Sequence, residues 1–407
     1  MASNLKSVRI KNFKAIRDSG VVKLTPLTVF IGNNGSGKSS LIEALRTLQY
    51  IVDDGLDQAM QTWAGFEHVW HHGVDHKVIS TKDNSERPSQ SNPMSFEIKG
   101  RGHAGFKSFT AISEISLDPS GDGLFFVNES VSLPGQQYIR DRNGQTKVIS
   151  KDAGDRDTQK IYPIYVREYG GTAVISIPDV LSDDDSLLTD SLEWFISEWQ
   201  YLSLNPDAMG AQVARQRTGS RVVLASDGSN IAEYLLNIRH LDQGAFDGIV
   251  ETLQYVLPYA LDLQPAITSE LERNVYLQLT EGDYKVFGWL LSSGTLRLVA
   301  LLALLRHPTP PPLIMIEEIE NGIDPRALHL LVDEIRRVTE SRTSQILMTT
   351  HSPYLLDLLD LSNIVIVEKD GDTKFSRPSD KETLEGWRKN FTVGQLYTMG
   401  KLSTSNQ

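Results

Sequence analysis

One short segment constrains this chain more than any other. The residues Gly32-Asn33-Asn34-Gly35-Ser36-Gly37-Lys38-Ser39 match the pattern G-x-x-x-x-G-K-[S/T] in full. They follow an apolar run, residues 27–31, that predicts a buried strand, and they precede residues 39–50, whose apolar spacing predicts an amphipathic helix. The glycines allow positive φ and close backbone approach, so successive N–H groups can surround phosphate oxygens. Lys38 offers a charge to the β- and γ-phosphates, Ser39 a hydroxyl ligand for Mg²⁺, and the helix its N-terminal dipole. This segment, called the P-loop below, and the adjacent Ser40 predict a nucleoside triphosphate site.

A second segment, Leu313-Ile-Met-Ile-Glu317-Glu318, places two carboxylates directly after a short apolar run. The run predicts a buried strand, and a strand that ends in acids is what a nucleotide-hydrolysis site requires. We expect Glu317 to hold Mg²⁺ and Glu318 to orient or deprotonate the attacking water. Two solvated acids at a strand end are common, so the P-loop is what favours the functional interpretation.

Two further segments fit a site that handles phosphate. The strand-like run 345–348, apolar after Gln345, is followed by two threonines and His351, and an imidazole there can donate a hydrogen bond to a γ-phosphate. Ser292, Ser293 and Gly294 precede a helix predicted over residues 296–305, and the free N–H groups of a helix start bind anions. The simpler interpretations are an exposed or structural histidine and an ordinary N-cap.

Composition limits the alternatives. The 407 residues carry 40 Lys and Arg against 52 Asp and Glu, a net charge of −12, with 40% apolar residues, which is typical of a globular protein with a packed core. The absence of cysteine excludes disulfides, thiolate zinc sites, Fe–S clusters and a cysteine nucleophile. Residues 1–14 lack a signal-peptide pattern, and the longest apolar run, 298–305, is far shorter than the roughly 20 residues of a membrane span. We therefore expect a cytoplasmic protein with no membrane partner.

The apolar pattern divides the chain into three predicted parts. Residues 1–180 form a first lobe, in which short alternating runs from 95 to 149 predict antiparallel hairpins and the polar stretches 75–93 and 140–160 predict exposed loops. Residues 181–265 shift towards a period of 3.6, which predicts an inserted helical arm. Residues 266–407 alternate strand-like and helix-like runs, as in a second α/β lobe.

These segments, in this order, resemble the ABC-type ATPase heads, and more narrowly the stand-alone, SMC-related ATPases of the OLD (overcoming lysogenisation defect) and RecF-like group. Residues 291–295 are similar to the signature L-S-G-G-Q, 317–325 to D/E-E-P-E-N-G-L-H-P, and 350–353 to the switch-histidine segment. Asp324 falls where ABC proteins carry the D-loop aspartate, whereas Glu317 replaces the usual aspartate. The Q-loop residue stays open among Gln136, Gln137, Gln145 and Gln159.

The resemblance implies an α/β, P-loop ABC-type ATPase head with an antiparallel β-rich first lobe, an inserted helical arm and an α/β second lobe. It implies ATP and Mg²⁺ as cofactors, and ATP hydrolysis that can be slow and switch-like. ATP bound by Gly32–Ser39 of one protomer would be covered by Ser292–Gly294 of another, in an ATP-dependent homodimer or larger even oligomer. Hydrolysis by Glu318 would release that assembly.

The expected biological role follows from the additional domain that OLD nucleases carry. OLD nucleases carry a Toprim nuclease domain after the ATPase, whereas about forty residues follow the run 364–367 here, too few for such a domain. We therefore expect a separately encoded effector, a nuclease or toxin, in anti-phage defence. Another possible function is that of an ATP-gated scaffold that contacts only protein. Such a scaffold would dimerise without binding DNA.

The alternative is a RecF-like DNA-binding repair ATPase. Candidate phosphate contacts are Arg336 and Arg337, and the cluster Arg215, Arg217 and Arg221. The net charge of −12 weighs against direct DNA binding, because short arginine clusters are commonly solvated surface.

A histidine cluster suggests a metal site but is more typical of packing or surface. It comprises His68, His71, His72 and His76. His68 and His72 would share a helical face, but no paired acid motif accompanies them. We expect no metal site there.

Overall fold

The computed structural model describes residues 4–71, 92–102, 108–117, 123–140, 146–150, 158–162, 192–214, 221–268, 273–378 and 390–402. Their strands are β1 (Asn4–Phe13), β2 (Ile16–Asp18), β3 (Val22–Lys23), β4 (Leu27–Ile31), β5 (Met94–Arg101), β6 (Phe109–Leu117), β7 (Leu124–Leu133), β8 (Gln136–Arg140), β9 (Thr146–Ser150), β10 (Thr158–Tyr162), β11 (Gln200–Leu202), β12 (Val213–Ala214), β13 (Ala260–Ile267), β14 (Asn274–Glu281), β15 (Tyr284–Phe287), β16 (Leu313–Ile316), β17 (Gln345–Thr349), β18 (Ile364–Asp370) and β19 (Asp372–Ser376). The helices include α1 (Lys38–Asp54), α2 (Leu56–Gln61), α3 (Phe66–Val69), α4 (Pro206–Met209), α5 (Ile231–Leu241), α6 (Gln243–Val256), α7 (Ser293–Leu305), α8 (Pro325–Glu340), α9 (Pro353–Asp357) and α10 (Val393–Thr398).

The chain forms two compact units. The first unit comprises residues 1–199, 364–384 and 400–407, and the second comprises residues 200–363 and 385–399. Residues 364–384 belong to the first unit because β18 runs parallel to β4, with Ile364 opposite Val29. The division predicted from the sequence, into a first lobe, a helical arm and a second lobe, refers to functional domains, and it stays a prediction.

An antiparallel sheet makes up much of the first unit. Its order is β10-β9-β8-β7-β6-β5-β1-β2, with β3 paired to β1. The hairpins predicted between residues 95 and 149 are confirmed. The expectation of an exposed loop over 140–160 is wrong in part, because β9 and β10 extend the sheet there. These two strands are polar, so they give no apolar alternation in the sequence. The expected loop at 75–93 falls mostly outside the described residues.

The P-loop strand β4 is buried at all five residues, as expected of a strand in a parallel pair. Helix α1 buries the apolar face that includes Leu41, Leu45 and Leu48, so the predicted strand and helix on either side of the P-loop are confirmed.

The second unit combines a parallel strand set with an antiparallel sheet. Strands β11, β16 and β17 run parallel, and β16 and β17 are buried throughout, as their apolar sequences predict. The antiparallel sheet has the order β12-β14-β13, with β15 paired to β14. Helices α5 and α6 confirm helical structure within residues 181–265, although β11 to β13 also lie at least partly in that range.

One arginine joins three helices of the second unit. Arg306, at the end of α7, donates to the carbonyl oxygen of Gly248 on α6 (2.8 Å) and to Oε1 of Glu334 on α8 (2.5 Å). Burial raises the pKa of Glu334, but the hydrogen bonds and charges of Arg306 and Arg337 outweigh it, so that pKa lies below its usual value. None of the helices in the described ranges has the length and apolar character needed to cross a membrane.

Candidate nucleotide site

The P-loop connects β4 to α1, and two of its positions require glycine. A Cβ on Gly32 (φ +149°) would overlap the carbonyl oxygen of Val367, and one on Gly37 (φ +107°) would lie 2.8 Å from Cγ2 of Thr373. Gly35 (φ +75°) faces open space, so glycine is favoured there by backbone conformation alone. The hairpin of β18 and β19, which contains Val367 and Thr373, therefore fixes the P-loop on two sides.

The interior of the P-loop holds a cation and a free hydroxyl. Lys38 is 6% exposed, and its Nζ donates to the carbonyl oxygens of Gly32 (2.8 Å) and Asn33 (3.0 Å). The Oγ of Ser36 is buried and has no hydrogen-bond partner among the residues that the structure describes. A buried hydroxyl without a partner is costly unless a ligand satisfies it, so the loop has the properties of an anion site.

The remaining predicted P-loop residues differ in exposure. Asn33, Asn34 and Ser39 are exposed, and Ser40 is buried on α1. The Ser39 hydroxyl can therefore reach a bound cation from the first turn of the helix.

Thr373 supports the P-loop and was not identified from the sequence. Its hydroxyl lies 3.0 Å from the carbonyl oxygens of both Ser36 and Ala15, and the residue is 1% exposed. It therefore ties the loop to the turn after β1. A lone threonine in a short hairpin, more than 330 residues away in sequence, gives no signal of this contact.

The acidic segment follows β16 in the second unit. The hydroxyl of Tyr201 donates to Oε2 of Glu317 (2.9 Å), and the backbone N–H of Glu317 donates to the carbonyl oxygen of Leu202 (3.2 Å). The other oxygen, Oε1, is buried and finds no hydrogen-bond partner in the described part of the chain. A fixed carboxylate with one unsatisfied oxygen fits a hard cation such as Mg²⁺.

Glu318 adopts a left-handed backbone conformation, with φ +46°. Its N–H donates to Oγ1 of Thr349 (2.9 Å), and its Oε2 accepts from Nδ2 of Asn321 (2.7 Å). The side chain is exposed. A non-glycine residue with this φ costs about 1 kcal/mol or more and persists where its surroundings enforce it, often at functional sites.

The switch-histidine segment follows β17 and is bonded to the acidic segment. The backbone N–H of His351 donates to Oε1 of Glu320 (2.7 Å), and Thr349 accepts from Glu318 as above. Burial, together with the negative charge of Glu320, raises the pKa of Tyr397 on α10. The structure thus brings Glu317, Glu318 and His351 into one region of the second unit.

The signature segment begins α7. Ser292 is its N-cap and accepts from the N–H of Thr295 (3.1 Å), while Ser292 and Ser293 are both exposed. A Cβ on Gly294 would overlap the carbonyl oxygen of Gly322. The first turn of α7 therefore packs on the loop that follows Glu318.

Asp324 is the N-cap of α8. Its Oδ1 accepts from the N–H (2.8 Å) and Nε (3.1 Å) of Arg326, and this side-chain hydrogen bond lowers the pKa of Asp324. In this structure Asp324 caps a helix.

The other sequence candidates fall in several places. Arg336 pairs with Asp333 (3.2 Å) and Arg337 with Glu334 (2.9 Å) on α8. The Nδ1 of His71 lies 2.6 Å from the carbonyl oxygen of Lys14. Gln136 and Gln137 lie in β8 and Gln159 in β10, whereas Gln145, His72, His76, Arg215 and Arg217 lie outside the described residues.

A P-loop between a buried strand and a helix, together with an acid-tipped parallel strand and an antiparallel sheet, defines a P-loop ATPase head of the AAA/ABC type. The chain belongs to the family described as "AAA domain, putative AbiEii toxin, Type IV TA system", which matches residues 134–357. Residues 4–60, with the P-loop, match a second family, described as "AAA ATPase domain".

The relatives include a DNA-repair protein. Over 93 residues the chain is 28% identical to the DNA replication and repair protein RecF from two strains of Leptospira biflexa serovar Patoc. The match covers 19% of this chain and 25% of RecF, so the chain spans about a quarter of the length of these relatives.

The similar solved structures include SMC heads. The Smc head bound to the C-winged helix domain of ScpA is 13% identical, with a TM-score of 0.49 over 94% of this chain and 99% of that one. The Smc head with an extended coiled coil, bound to the C-terminal domain of ScpA from Pyrococcus furiosus, is 12% identical, with a TM-score of 0.48 over 95% and 100% of the two chains. The SMC head domain from Thermotoga maritima is 13% identical, with a TM-score of 0.36 over 92% and 98%.

Proposed function

We propose that this AAA/ABC-type ATPase is a nucleotide-driven switch. ATP binding assembles copies of the chain, and the assembly controls a separately encoded effector, a nuclease or toxin, in anti-phage defence. The observation that carries the hydrolytic part is the geometry of Glu318, whose strained backbone is held by Thr349 and whose carboxylate is exposed and oriented by Asn321. Such a carboxylate suits a group that orients or deprotonates water.

The residues divide between binding and chemistry. Backbone N–H groups of Gly32–Ser39 and the ammonium of Lys38 bind the phosphates, and the unsatisfied hydroxyl of Ser36 gains a partner. Glu318 acts on the attacking water, and His351 contacts the γ-phosphate. These roles follow the residue types and the family resemblance.

Magnesium fits the residues present. Glu317 would hold it, because its buried Oε1 has no hydrogen-bond partner among the described residues. The family resemblance assigns Ser39 as a further ligand, and its side chain is exposed on the first turn of α1. When bound, Mg²⁺ neutralises charge that develops on the phosphate oxygens during transfer.

The exposed signature serines support assembly through ATP. Ser292 and Ser293 are exposed at the start of α7, so a nucleotide brought by a second copy can reach them. ATP held by the P-loop of one protomer then joins it to the other, and hydrolysis releases the pair.

The defence role rests on the family description, which names a toxin and a toxin–antitoxin system. A chain that combines an ATPase site with nucleotide-driven assembly can control a toxic partner for as long as ATP stays bound and unhydrolysed. Control of that partner by the ATP-bound assembly is our proposal.

The test is the mass in solution of the Glu318→Gln variant, with and without ATP–Mg²⁺, alone and with the product of the adjacent gene. We expect an ATP-dependent increase in mass and co-migration of the neighbouring protein. An unchanged mass in every condition, in a variant shown to bind ATP, would contradict ATP-driven assembly. An ATP-dependent increase in mass without co-migration would contradict only the control of that neighbouring protein, and ATP-driven assembly would stand.

A second candidate is a RecF-like DNA-binding ATPase, favoured by the 28% identity to RecF. Direct DNA binding would show as an affinity that falls steeply with salt, because bound phosphates release counterions. If ATP-dependent assembly required duplex DNA, this candidate would replace the defence switch.

A further inference from the structure

The signature helix carries a charged residue that the proposed mechanism does not use. Arg297 lies one turn after Gly294 on α7 and is half-buried. It lines one small pocket together with Glu317 and Glu318. A cation is thus located beside both proposed acidic residues, on the helix that presents the signature serines.

Arg297 also lies beside the loop that follows Glu318. A Cβ placed on Gly322 would lie 3.8 Å from Cδ and 4.0 Å from Nε of Arg297. Gly294 packs against the carbonyl oxygen of the same glycine. Two residues from one turn of α7 therefore lie beside the same glycine of that loop.

The electrostatics identify Glu318 as the charged neighbour of Arg297. Burial lowers the pKa of Arg297, and the negative charge of Glu318 opposes this shift. The guanidinium stays protonated throughout, because arginine is not deprotonated in proteins. The guanidinium of Arg297 makes no hydrogen bond to any described residue, so its charge is available to respond to small displacements of α7.

We propose that Arg297 is a positioning residue that couples the two nucleotide sites of the assembled protein. The inference rests on the proposed function, in which the signature serines meet the nucleotide of the partner protomer and Glu318 acts on the nucleotide of its own. Contact between α7 and the partner's γ-phosphate moves Arg297 relative to Glu318 and Gly322. Hydrolysis in one site therefore depends on occupancy of the other.

The experiment compares the full chain with Arg297→Met, which keeps an apolar stem without the charge, and with Arg297→Lys, which keeps a charge without the planar fork. Arg342→Met, at an exposed turn, is the matched control. ATPase rate is measured against ATP concentration, ATP affinity with a fluorescent ATP analogue, and ATP-driven assembly by mass in the Glu318→Gln background.

We expect Arg297→Met to lower kcat about tenfold, as typical coupling energies imply, and to turn a sigmoidal ATP dependence into a hyperbolic one. ATP affinity and ATP-driven assembly should stay at wild-type values, and Arg297→Lys should keep part of the sigmoidal dependence. A merely structural role would instead lower affinity, assembly and melting temperature together, which would overturn the proposal.

A double-mutant cycle tests the route of coupling. If Arg297 transmits contact at the signature, Ser292→Ala and Arg297→Met have non-additive effects on kcat. Additive effects overturn the coupling. If the wild type hydrolyses no ATP, or Glu318→Gln does not assemble with ATP, the proposed function fails and the coupling fails with it. If both hold and Arg297→Met keeps wild-type kinetics, only the coupling is wrong.

Discussion

The P-loop of the first unit and the signature segment of the second are both turns that lead into a helix, but their polar groups are satisfied differently. In the P-loop, Gly37 precedes α1 without a side-chain cap, and the Ser36 hydroxyl is buried without a partner in the described residues. In the signature segment, Ser292 caps α7 and bonds to Thr295. The Ser36 hydroxyl of the first turn is therefore left unsatisfied by the described residues, whereas the N-cap of the second turn is satisfied within the turn.

This difference indicates that the two turns have different roles in nucleotide binding. A turn with a buried cation and an unsatisfied hydroxyl is preorganised to bind an anion by itself. A capped, exposed turn gains little from a free anion and instead suits a surface that closes on a nucleotide already held elsewhere. The first unit is thus expected to set affinity, and the second to set the rate and the response to assembly.

The largest effect is expected for Glu318→Gln. The amide keeps the shape and can still pair with Asn321, but it cannot accept a proton, so kcat should fall by about 10²- to 10⁴-fold while ATP binding persists. Steady-state phosphate release and equilibrium binding measure the two effects separately. Glu340→Gln, at an exposed position on α8, is the control, and hydrolysis by Glu318→Gln at the wild-type rate would disprove the assignment of the base.

Lys38→Ala tests the expectation that the first unit sets the affinity for ATP. Removal of the charge-assisted bonds to phosphate costs about 3 kcal/mol, which corresponds to roughly 150-fold in affinity. Calorimetric titration with ATP–Mg²⁺ should show this loss, with Lys369→Ala on β18 as an exposed control. A folded Lys38→Ala protein that binds ATP normally would place the nucleotide site elsewhere.

A smaller effect is expected for Thr373→Val, which removes the hydroxyl beside the Ser36 and Ala15 carbonyl oxygens. Leaving a buried acceptor unsatisfied costs about 1–3 kcal/mol, so the melting temperature and ATP affinity should both fall. Thr280→Val on β14 is the control in the second unit, and it should change neither quantity. If Thr373→Val lowers the melting temperature but not the affinity, Thr373 supports the fold without shaping the P-loop.

The smallest effect is a pH dependence of the second unit. Because the pKa of Glu334 is held below its usual value of 4.5, its stabilising contribution is complete above that pH and is lost as pH falls through the folded-state pKa. Thermal melts between neutral pH and pH 3 should show a shallower acid loss for Glu334→Gln than for wild type. Glu251→Gln, exposed on α6, should follow the wild-type curve, and identical slopes for all three proteins would rule out Glu334 as the source.

Local segments of the fold were predictable from the sequence. The P-loop strand and helix and the buried β16 and β17 carry strong apolar patterns. The polar strands β9 and β10 carry no such pattern, because their pairing depends on β8 and not on an apolar face. The return of β18 to β4 joins residues more than 300 apart, and no local signal encodes it.

The candidate site shows the same limit. Residue types and spacing predicted the P-loop, the paired acids and the histidine. They could not predict the support from Thr373, the bond between His351 and Glu320, or the position of Arg297, because each depends on contacts between distant segments. The left-handed φ of Glu318 was also missed, since glutamate has no local preference for it.

That backbone conformation has a consequence for laboratory evolution. A selection for thermal stability rewards replacements that relax a strained φ, and glycine or asparagine at position 318 would do so at little structural cost. The proposed base is therefore among the residues that such a selection would replace. Libraries of this protein selected for robustness alone should drift towards tightly folded ATP binders that no longer turn over.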